Sequence, residues 1–63
     1  MKLLLYSSNI SGMDFDKSVK PCESVELIID EDYPNINSIL SLIKYCINNQ
    51  IIYEIFELKN YED

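Results

Sequence analysis

Histidine is absent from this chain, which removes Ser–His and Cys–His nucleophilic pairs and the usual mixed zinc sites together. Glycine occurs once, at Gly12, so no glycine-rich loop can cradle a phosphate. Only two prolines interrupt the chain, and most of it is therefore expected to be regular structure. Two cysteines, Cys22 and Cys46, stand 24 positions apart with no CxxC pairing. They read as reduced thiols in a cytoplasmic protein, with Cys46 on the inner side of a helix. The apolar start Leu3-Leu4-Leu5-Tyr6 is shorter than the ~7–15 residues of a signal-peptide core. No run approaches the ~18 apolar residues that would suggest a membrane span.

Positive charge is scarce as well. Five Lys or Arg face eleven Asp or Glu, a net charge of −6. Such a chain is repelled by nucleic-acid phosphates and by anionic lipid, so neither is an expected direct partner. The acids are also unevenly placed. Glu23, Glu26, Asp30, Glu31 and Asp32 fall within ten residues, and Tyr33 follows them.

What is present in quantity is apolar: 48% of the residues, rich in Ile and Tyr. A chain of this size forms one small domain with a marginal core. Ile36, Ile39, Leu40, Ile43, Cys46 and Ile47 repeat at helical spacing, which predicts a helix from Asn35 to Asn49. Asp32 or Asn35 is placed to cap it, Pro34 suits its entry, and Asn48-Asn49 suit its end.

Lys2–Ser8, Val25–Asp30 and Ile51–Lys59 read as strands. A short edge strand over Met13–Val19 is suggested by alternation of Met13 and Phe15 with polar residues, after a turn at Asn9–Gly12; an ordered loop is the alternative. The fold class is then α+β: a single antiparallel or mixed sheet of three to four strands, order β-(β)-β-α-β, with one helix on one face. The outer strands lack clean alternation. Leu4 and Tyr6 oppose Leu3 and Leu5, while Ile52, Phe56 and Leu58 oppose Ile51, Tyr53 and Ile55. One helix covers one face, so the second face should carry an apolar patch, unless the segment after the first strand folds over it.

Chemistry is sparse. Asp14-Phe15-Asp16 and Asp30-Glu31-Asp32 offer hard oxygen ligands, yet neither continues as a calcium loop. No cofactor or metal is expected, and no catalytic residue is assigned. The expected role is non-enzymatic binding through Glu23, Glu26, Asp30, Glu31, Asp32, Tyr33, Glu54 and Glu57, an acidic surface that imitates nucleic-acid phosphates. Its partner would be a protein with a basic surface, such as a nucleic-acid-processing enzyme or complex. In size and charge the chain resembles phage-encoded anti-defence inhibitors, including anti-CRISPR and anti-restriction proteins, which implies stoichiometric inhibition in the host cytoplasm. The alternative is a self-associating structural or regulatory subunit, a homodimer that buries the apolar second face.

Overall fold

A computed structural model describes residues 1–19 and 22–58. Strand β1 (Lys2–Tyr6) runs into a 3-10 turn, Ser7–Asn9, and a single helical turn, α1 (Phe15–Ser18). Strand β2 (Ser24–Ile29), helix α2 (Ile36–Asn48) and strand β3 (Ile52–Glu57) complete the chain order. The three strands form one sheet in the order β1-β2-β3, and both pairings are parallel. Parallel neighbours cannot be joined by a hairpin and need a crossover connection. The segment carrying α1 supplies the first crossover, and α2 supplies the second.

Both crossovers lie on the same face. Leu5, Val25 and Leu27 share one side of the sheet by the period-two rule, and all three are buried. They form one core with Ile10 and Val19 from the first connection and Ile39, Leu42 and Cys46 from the second. The stretch after β1 therefore packs beside α2 instead of folding over the opposite side.

Three expectations from the sequence are corrected. The sheet is three-stranded and parallel, not antiparallel or mixed. The Met13–Val19 segment is not an edge strand: Asp14 caps α1 by accepting the Asp16 N–H at 3.1 Å, and Phe15 and Val19 are spaced as i and i+4. Their spacing is helical, whereas Met13 to Phe15 is not, and the short segment satisfies both patterns in part. The turn near Gly12 is present, closed by the Met13 N–H to Ile10 carbonyl bond at 3.1 Å, but it leads into α1 and not into a hairpin. Gly12 takes φ 77°, the left-handed value glycine adopts without steric cost.

Helix α2 falls where the periodicity places it. Asn35 is its cap, accepting the Ser38 N–H at 3.2 Å through its side chain; Asp32 takes no part. At the other end the Ile51 N–H reaches the Cys46 carbonyl at 2.8 Å and the Gln50 N–H reaches Ile47 at 3.3 Å. This is a Schellman closure, with the left-handed residue at Gln50 (φ 57°) and not at Asn48 or Asn49. Strand β3 is described to Glu57, followed by Leu58; the expected extension to Lys59 lies outside the described residues.

Candidate binding surface

Among the described residues, none covers the face of the sheet away from the helices. In register across the three strands it presents Lys2, Ser24 and Ile52, then Leu4, Glu26 and Glu54, then Tyr6, Ile28 and Phe56. Leu4 is 50% exposed, Ile52 70% and Phe56 44%. Parallel sheets are ordinarily covered on both faces, because their strands are too apolar for water on either side. An apolar row from Tyr6 through Ile28 to Phe56 left in water is the feature of this molecule that most needs a partner.

The eight residues expected to make an acidic binding surface are spread over both ends and both faces of the sheet. Glu23 precedes β2 and pairs with the Met1 amino group at 3.3 Å. Asp30 to Asp32 follow β2 at its other end, roughly 20 Å away along a strand of this length. Asp30 serves the fold. Its Oδ2 accepts from the Ser8 hydroxyl at 2.7 Å, and its Oδ1 takes the Ser8 N–H at 3.0 Å and the Ser7 hydroxyl at 2.9 Å. Its own N–H donates to Ser7 Oγ at 3.2 Å, and Glu31 Oε1 lies 3.2 Å from the same buried hydroxyl. The Ser8 hydroxyl above all holds the Asp30 carboxyl below the ordinary carboxylate range; burial opposes it, and Ser7 and the backbone amides of Ser8 and Asp30 add to the lowering. Ser7 and Ser8 were not anticipated from sequence; a pair of hydroxyls after a strand carries no signal until the strand beside it is known.

Glu26 and Glu54 are brought together. They are direct register partners on the uncovered face, so two carboxylates stand on adjacent strands ~4.8 Å apart at the backbone. Lys2 of the neighbouring strand β1, on the same face, reaches Glu26 Oε2 at 3.1 Å. Glu57 is three positions beyond Glu54 along β3 and so falls on the helix-side set, opposite Ile29. Tyr33 projects from the loop before α2 and is 94% exposed. The surface is thus an apolar field with one acidic pair at its centre, plus separate acids at the two ends of β2.

Elsewhere, groups with reactive potential are quiet. A recess of about 250 Å³ between the first connection and the start of α2 is lined by Ile10, Met13, Phe15, Asn35, Ser38 and Ser41, with no titratable group among them. Burial pushes the Cys46 thiol up, away from thiolate character. Burial, then the 3.1 Å bond to Asp16, pushes the Tyr45 hydroxyl up. With both connections on one face, the sheet has no point where successive crossovers diverge, the place where open parallel sheets bind cofactors. Among the described residues no cluster suits a metal ion, and no helix is long and apolar enough to cross a membrane.

Comparison with family models, curated proteins and solved structures finds no match to the chain.

Proposed function

We propose that the protein is a non-enzymatic binding module whose working surface is the uncovered face of its parallel sheet. The observation that carries this reading is the row Tyr6, Ile28 and Phe56, with Leu4 and Ile52 beside it, left in water on a sheet type that is normally sandwiched. The partner is a protein surface of matching character: apolar, with a Lys or Arg placed to enter between Glu26 and Glu54. A cation there would relieve the repulsion of two neighbouring carboxylates, so the acids select the partner while the apolar field supplies affinity.

A second reading keeps the sharper expectation, a stoichiometric inhibitor of a nucleic-acid-processing complex. The exposed Tyr33 beside Asp32, and the Glu26–Glu54 pair, favour it. Such a target offers an Arg- or Lys-lined groove, and the basic residue docked between the glutamates would be one of those that normally hold phosphate.

Site-specific photocrosslinking in source-cell extract tests the first reading. A crosslinker at Leu4 or Phe56 should trap one discrete partner, and one at Asn37 or Ser41 on the helix side should not. Glu54→Lys should abolish that adduct while the circular dichroism spectrum persists. Equal labelling from both faces, or an adduct indifferent to Glu54→Lys, would overturn it. The inhibitor reading further requires that single-stranded or duplex DNA or RNA compete for the same adduct.

A further inference from the structure

We infer that β3 is a dimerisation edge, at which a second copy of this chain continues the sheet by antiparallel β3–β3 pairing about a two-fold axis through Ile55. The inference uses the edge and one flank of α2, not the uncovered face, so it stands independently of the proposed function.

Three observations converge on that edge. The first is the state of the strand. All six residues of β3 are exposed, and the strand carries no Lys, Pro, Gly or bulge, the devices that usually guard an open edge. The opposite edge, β1, does carry Lys2 and sits beside the charged Met1 amino group.

The second is the direction of the backbone groups. The Ile52 N–H donates to the Glu23 carbonyl and the Leu58 N–H to Ile29, both inward to β2. Alternation then turns the N–H and C=O of Tyr53 and Ile55 outward. A two-fold placed at Ile55 opposes Ile55 to its own copy as a hydrogen-bonded pair that exchanges both bonds. Ile55 lies within half a residue of the middle of β3, so this register pairs nearly the whole strand. It sets Glu54 opposite Phe56, whereas a two-fold at Glu54 would set two carboxylates face to face.

The third is the helix above the strand. Around α2, Ile39, Leu42 and Cys46 point into the core. On one flank Tyr45 meets Phe15 at a ring separation of 5.7 Å and bonds Asp16, so that flank faces α1 and the β1 side. At ~100° per residue, Ile36, Leu40, Ile43 and Ile47 form a stripe on the opposite flank, the one facing the β3 edge. Ile36, Leu40 and Ile47 are each more than half exposed. Tyr53 and Ile55, on the helix side of β3, lie partly exposed below them. An occupant must therefore offer an extended strand and an apolar helix together, in antiparallel order. The two-fold copy brings both, strand to strand and stripe to stripe. Pairing β3 with β1 of another copy would instead be head-to-tail and would propagate without closing.

Sedimentation equilibrium on the full chain, with a disulfide test of register, decides the matter. The wild type should be a dimer at tens of micromolar. Leu40→Glu and Ile47→Lys should each weaken the dimer roughly tenfold or more while retaining helical circular dichroism. Leu4→Lys and Tyr6→Lys, on the β1 part of the uncovered face, should weaken it far less. In a Cys22→Ser background, Ile55→Cys should form a disulfide-linked dimer on mild oxidation, and Tyr53→Cys should not. A monomer at several hundred micromolar overturns the inference. So does a dimer broken by the Leu4 and Tyr6 variants but not by those in α2, and so does growth beyond the dimer.

Discussion

At the scale of single residues, the backbone sets the largest local cost. Gln50 occupies the left-handed conformation that closes α2, and a side chain there crowds the following carbonyl by roughly 1–2 kcal/mol. Gln50→Gly is expected to stabilise the fold by about 1 kcal/mol, seen as a higher urea midpoint with an unchanged slope. Asp30 works in the other direction. Its carboxyl is held below the ordinary range by Ser8, so its contribution is present above about pH 4 and is lost as pH falls through the lowered value. Asp30→Asn should lower the melting temperature at pH 7, and the gap to wild type should close on titration toward pH 2. A gap of constant size would mean that the carboxylate charge is not what Ser7 and Ser8 recognise.

Elements differ in how far their sequence declares them. Helix α2 is legible because thirteen residues give its period room to repeat and Asn35 supplies a cap in place. Strand direction leaves only one trace in the sequence. Leu3-Leu4-Leu5 and Leu27-Ile28-Ile29 are continuous apolar runs, which belong to parallel strands more often than to half-solvated antiparallel ones. The four residues of α1 are too few to show a period, yet Asp14 followed by Asp16 in the first turn is a helix-start pattern. Strand β3 is the element whose exposure can be read one amide at a time. In the monomer the amides of Ile52 and Leu58, bonded to β2, should exchange slowly with deuterium, and those of Tyr53 and Ile55 quickly. Raising the protein concentration should slow both Tyr53 and Ile55, measurable by NMR.

For the whole molecule, the layer count governs what it can do. A sheet with helices on one side only is half of the usual parallel architecture, and the missing layer is where function is sought. The sequence alone carries that much, because Leu4, Tyr6, Ile52 and Phe56 break the alternation expected of a solvated face. In the acidic cluster, proximity in sequence is not proximity in space. A strand separates Glu23 from Asp30 by its full length, while pairing sets Glu26 next to Glu54, 28 positions later. Charges on a strand gather across the sheet and not along it, and only the register says which will meet.

The link between α2 and β3 has one more consequence. Only Asn49, Gln50 and Ile51 join them, the last buried and bonded back to Cys46. Strand and helix flank cannot drift apart without unwinding the final turn of α2. Whatever docks along that side of the molecule meets a surface whose conformational freedom was already surrendered on folding, so little ordering entropy is left to oppose association.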